Sequence, residues 1–143
     1  MTMDRTTRID GVLPELFDEL ANIRRLAEVA THLSRNGHIA IVAAVSPSAD
    51  DRAAARRIAD TAFREVYVAT PADVCESRDP KGHYAKARAG ALKAFTGIAN
   101  DYQPPTACEL AIDTSSRSVA DATDEIERML ATSGILFDEL ADL

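Results

Sequence analysis

Cysteine is scarce in this chain, and nothing pairs it. Cys75 and Cys108 lie far apart and form no CxxC, and three scattered histidines add no metal-ligand spacing. Neither a disulfide framework nor a zinc site is therefore expected, and a reduced, cytoplasmic setting is the default. No run approaches the ~18 apolar residues of a membrane helix. The opening MTMDRTTRID lacks the apolar segment of a secretory leader. A basic excess is missing too: 16 Lys and Arg face 23 Asp and Glu, a net charge of −7. That balance argues against a general binder of nucleic acid or anionic membranes, so any anion site must be a local patch. There is no internal repeat and no low-complexity segment. The phosphate-cradling pattern GxxxxGK[ST] does not occur anywhere in the 143 residues.

What is present reads as one α/β domain, residues 1–143, long enough to bury a core. Pro14–Asn36 carries Leu16, Leu20, Ile23, Ala27, Ala30 and Leu33 at helical spacing, and Asn36-Gly37 is a fitting stop. His38–Val45 is a continuous apolar run, expected as a strand buried on both faces. Ser46-Pro47-Ser48 breaks it. Asp50–Ala62 reads as a helix with Ala54, Ile58 and Ala62 on one face, and Glu65–Ala69 as a second strand. Thr70 and Pro71 predict a helix start, with Thr70 as cap. A helix from Tyr84 to Ala94, a Pro104-Pro105 loop, a strand Glu109–Asp113 and a helix Ser116–Leu130 follow. Alternating strands and helices imply βαβ units and a parallel sheet, whose ligands bind at the carboxyl ends of the strands.

The richest stretch is Arg78–Ile98, RDPKGHYAKARAGALKAFTGI. Arg78, Lys81, His83, Lys86, Arg88 and Lys93 surround an Asp-Pro and three glycines. Arginine offers planar bidentate donors to phosphate or sulfate, and lysine a point charge. Pro80 followed by Gly82 suits a closing loop. On physics alone the stretch is either a lid over an anion or a solvated basic helix after a turn.

This stretch resembles the lid of the adenylylsulfate (APS) kinases. The resemblance continues through Asn22-Ile23-Arg24-Arg25, Val45-Ser46-Pro47, Asp101-Tyr102-Gln103-Pro104-Pro105 and Ile112-Asp113-Thr114, in unbroken order from Asp18 to Leu130. It implies a P-loop kinase-like parallel sheet with flanking helices and a lid at residues 78–98. It implies transfer of the γ-phosphoryl of ATP, with Mg²⁺, to the 3′-hydroxyl of APS, giving PAPS in sulfate assimilation. By position, Arg78 would stack on the ATP adenine, with Lys86 and Arg88 at the nucleotide. Asn22, Val45 and Phe95 would hold the adenine of APS, and Lys81 would close over its phosphate. Without the resemblance, Phe95 and Val45 read equally as core, and Asn22 as a solvated helix residue.

The chain departs from that family at its start. The resemblance puts the phosphate loop ahead of an Asp-Gly-Asp strand and the Asn22 helix, and only 21 residues precede Asn22. The expectation is a domain truncated at its N-terminus, with the P-loop strand missing. Asp4 would then be the remaining catalytic aspartate, and Arg5 or Arg8 the substrate-binding arginine that follows it. Glu19 stands where the family has a second arginine. A gap in the sheet leaves three cases: a fragment, a degenerate relative that has re-closed its sheet, or an edge completed by the N-terminal segment or a partner chain. The function follows as APS kinase, incomplete here. The alternative is a non-catalytic relative binding APS, a nucleotide, a second copy of itself or a sulfate adenylyltransferase.

Overall fold

The computed structural model describes residues 6–10, 19–90 and 102–135, as two compact units. The first comprises Met1–Arg64 with Ala99–Pro104, and the second Glu65–Ile98 with Pro105–Leu143.

The first unit runs β1 (Thr6–Asp10), α1 (Glu19–Arg35), β2 (Ile39–Ala43) and α2 (Ala49–Ala59), ending in a 3₁₀ turn, Asp60–Ala62. β1 and β2 pair in parallel, from Thr6 opposite Ile39 to Asp10 opposite Ala43. The N-terminal segment therefore does join a sheet, beside β2. α1 stops where expected: Gly37 takes φ 82°, and the His38 N–H turns back to the Leu33 carbonyl at 3.2 Å. α2 begins at the Ser48 cap, whose hydroxyl accepts from the Asp51 N–H. Small side chains let α1 and α2 pack: Ala27, Ala54 and Ala55 are buried, and the buried Thr31 hydroxyl returns to the Ala27 carbonyl at 2.6 Å.

Two expectations fail here. β2 is not buried on both faces: Ile41 is 48% exposed and Val42 38%. β2 lies in a sheet of two strands, with β1 as its one neighbour among the described residues. Nor does the expected apolar face of the second helix hold throughout: Ala54 is buried, but Ile58 is half-buried and Ala62 is exposed in the 3₁₀ turn beyond α2. α2 buries Asp51 and Arg52 ahead of Ala54 and Ala55, because its first turn is bound into the loops beside it.

The second unit contains β3 (Val66–Val68), α3 (Ala72–Arg78), α4 (His83–Arg88), β4 (Leu110–Ile112) and α5 (Val119–Thr132). β3 and β4 are parallel, with Val66 opposite Leu110 and Val68 opposite Ile112. Among the described residues Ile112 is the most buried apolar side chain, at 2% exposure. α5 starts at a full capping box between Ser118 and Asp121. Thr70 is not the cap of α3. Pro71 occupies that position, and the Thr70 hydroxyl turns to Thr114 instead. α4 is shorter than expected at its described end, stopping at Arg88. Residues 91–101, with Lys93 and Phe95, lie outside the described residues.

Candidate functional site

Parallel strands end together, and a ligand reaches such a sheet at its carboxyl edge. In the second unit that edge is built by Thr70 after β3 and Thr114 after β4. Their hydroxyls meet at 2.7 Å, and the Thr114 N–H donates to Thr70 Oγ1 at 3.0 Å. Arg78, the last residue of α3, reaches the same point. Its Nη1 donates to Thr114 Oγ1 at 2.9 Å, and its Nη2 to the Thr114 carbonyl at 2.7 Å and the Ser115 carbonyl at 3.3 Å. These bonds lie in the guanidinium plane. They fix that plane while Arg78 stays exposed, which is the condition for a flat ligand to stack on it.

The turn after Arg78 is held by Asp79. Its carboxylate accepts from the Tyr84 and Ala85 N–H groups at 3.2 and 3.1 Å, closing the start of α4. Partial burial pushes this carboxyl up, but the N–H groups of Ala85, Tyr84 and His83 outweigh it, and it sits below the usual range. Gly82 takes φ 64°, which a β-carbon would strain. An open hollow of about 310 Å³ lies inside the turn, lined by Arg78, Asp79, Lys81, His83 and Tyr84 among others.

Arg88 and Glu76 tie α4 to α3. Nη2 donates to Oε2 at 2.7 Å, and Nε donates to Oε1. That bidentate pair holds the Glu76 carboxyl below its ordinary range and raises the Arg88 guanidinium further. Lys81 and Lys86 are exposed. After β4, Asp113 accepts from the Ser115 hydroxyl at 2.5 Å and the Ser115 N–H at 2.8 Å. These two bonds, with smaller help from Arg117 and Arg78, hold its carboxyl low.

The first unit has its own carboxyl edge. Asp10 ends β1 opposite Ala43, a placement sequence reasoning did not single out. Val45 follows β2 and is 64% exposed, so it is not core. Asn22 lies in the first turn of α1, half-buried. α1 is the crossover between two parallel strands, so it runs against them. Its first turn therefore belongs to the end of the unit that holds Val45. Glu19 opens α1, and Arg8 lies within β1 opposite Ile41. Asp4 and Arg5 fall outside the described residues, as does Phe95.

Sequence reasoning missed Arg52. It is only 8% exposed and carries a charge inside the first unit. Its Nη1 donates to the Ser46 carbonyl at 2.7 Å, its Nη2 donates to the Gln103 carbonyl, and its guanidinium lies 5.3 Å from the centre of the Tyr102 ring. Among the described residues no group of three or more His, Cys, Asp or Glu side chains could hold a metal. No helix among them is long and apolar enough to cross a membrane.

The chain as a whole is similar to known proteins. The family model for adenylylsulphate kinase matches residues 15–113. The adenylyl-sulfate kinase of Shewanella pealeana is 43% identical over 123 residues, 85% of this chain and 60% of that protein. The bifunctional enzyme CysN/CysC of Mycobacterium tuberculosis is 45% identical over 121 residues, 82% of this chain and 20% of that one. The solved structure of the Mycobacterium tuberculosis APS kinase CysC in complex with AMPPNP and APS aligns with a TM-score of 0.80 at 39% identity, covering 87% of this chain and 79% of that one. The chain thus spans about three fifths of the length of the Shewanella pealeana enzyme. With a family match over residues 15–113 and a fold shared at that identity, this chain belongs to the adenylylsulphate kinase family.

Proposed function

We propose that this chain is the APS-binding and lid-bearing part of an APS kinase. The observation that carries the reading is Arg78: the lid's first cation is bolted by three hydrogen bonds to the loop after β4, with its guanidinium plane set and exposed. In the first unit, exposed Val45 and half-buried Asn22 offer an apolar contact and an amide to the adenine of APS. In the second unit the family resemblance assigns Phe95 and Lys81 to APS, and Lys86 and Arg88 to the phosphates of a nucleotide. Arg88 reaches them only by exchanging its Glu76 partner.

Transfer needs more than APS. The β- and γ-phosphates of ATP require a cradle of backbone amides, a lysine and a hydroxyl for Mg²⁺. The sequence holds no GxxxxGK[ST], and no acidic cluster fit for a metal occurs among the described residues. The donor set does not fit ATP with Mg²⁺, so no step through that complex is assigned to the 143-residue chain. The chain by itself is expected to bind APS and to form no measurable PAPS from ATP and APS. A radiolabel transfer assay tests this, and PAPS formed above background would refute it.

A second reading, docking on a sulfate adenylyltransferase, is favoured by the bifunctional relatives. Co-elution of purified chain and purified sulfate adenylyltransferase in size-exclusion chromatography tests it.

A further inference from the structure

We infer that Arg52, seconded by Gln103, is a positioning residue that fixes how Val45 is presented at the carboxyl end of β2. The inference rests on the reading that Val45 meets the adenine of APS, and it names what holds that contact in place. Ser46, the next residue, has φ 43°, a left-handed backbone that a serine does not hold unless its surroundings impose it. Its Oγ is buried without a hydrogen-bond partner, so the side chain does nothing to fix the conformation. The carbonyl does: Arg52 Nη1 binds it at 2.7 Å.

The same arginine binds the Gln103 carbonyl and lies over Tyr102. Gln103 completes the link. Its N–H donates to the Pro47 carbonyl at 3.0 Å, and its Oε1 accepts from the Ala49 N–H at 2.8 Å. The loop after β2 and the loop at Gln103 are thus cross-braced around one buried guanidinium, which reaches across 51 residues of sequence. A planar fork can serve two carbonyls while its face rests on a ring. Lysine, with one point charge, cannot do all three.

The test uses the 143-residue chain and the variants Arg52→Lys, Gln103→Leu and Gln103→Glu. Calorimetry measures affinity for APS and for AMP, which shares the adenine but lacks the sulfate. Arg52→Lys is expected to weaken both ligands by the same factor, about tenfold. Gln103→Leu is expected to weaken both in the same way. Gln103→Glu, which keeps the acceptor for the Ala49 N–H, is expected to restore wild-type affinity. Far-UV circular dichroism of all variants should match wild type.

Unchanged affinity in Arg52→Lys would overturn the inference, as would equal losses in the two Gln103 variants. A wild-type chain that binds neither ligand would instead defeat the APS reading. In that event amide exchange decides about the brace: faster exchange at Gln103 and Ala49 in Arg52→Lys supports it, and wild-type exchange there refutes it.

Discussion

Thr114 meets Thr70 twice, hydroxyl to hydroxyl at 2.7 Å and backbone N–H to Oγ1 at 3.0 Å. The pair closes the carboxyl ends of β3 and β4 and gives Arg78 its anchor. Thr70→Val leaves the half-buried Thr114 N–H without its acceptor, so it should cost about 1–3 kcal/mol of stability. Thr70→Ser should fall within about 1 kcal/mol of wild type, since the hydroxyl remains. Urea unfolding of the two variants checks the difference.

Asp60 should be improvable. It caps α2 with φ 52° and ψ −130°, a region that suits glycine, and its side chain is exposed. Asp60→Gly should therefore stabilise the chain by about 1 kcal/mol, net of glycine's greater unfolded freedom. A thermal melt raised by a few degrees is the expected result, and a lowered one would show that the aspartate side chain matters.

Acid should weaken the second unit in a defined direction. The carboxyls of Glu76, Asp79, Asp113 and Asp121 all sit below their ordinary values, Asp121 through the Ser118 hydroxyl and N–H of its capping box. Each group binds its proton more weakly folded than unfolded. Its contribution is therefore complete above the unfolded pKa, near 4, and is lost as pH falls through the lower folded value. Melting temperature should be flat from about pH 7 to 5 on account of these groups and fall below about pH 4. Asp121→Asn should shrink that acid-induced fall while lowering stability at neutral pH.

Arg88 is paired with Glu76, so on the proposed reading the glutamate competes with any anion for that guanidinium. Glu76→Gln removes the competing charge, so inorganic tripolyphosphate should bind about threefold tighter at low ionic strength, with the gain fading as salt screens it. Equal affinity of the variant and wild type would show that Arg88 does not face the anion.

The parts of this fold that were legible in sequence are those fixed by local chemistry. Asn36-Gly37 ended α1 because a left-handed residue must follow it, and the apolar runs marked β2, β3 and β4. β1 was not legible. TTRID has one apolar residue, and its strand form comes from backbone pairing with β2, not from its own pattern. Arg52 was hidden for a related reason: nothing near it announces burial, because its partners Tyr102 and Gln103 lie some fifty residues on. Arg78 stood out by its motif, yet its anchor, Thr114, is 36 residues away and came only with the fold.

Calorimetric titration of the 143-residue chain with APS decides whether it binds that ligand through its own residues. Saturable binding at one site per chain is expected, weakened at least tenfold, about 1.4 kcal/mol, by Val45→Asp, which places a carboxylate at the apolar contact. Absence of binding, or binding that Val45→Asp leaves untouched, would contradict the APS reading.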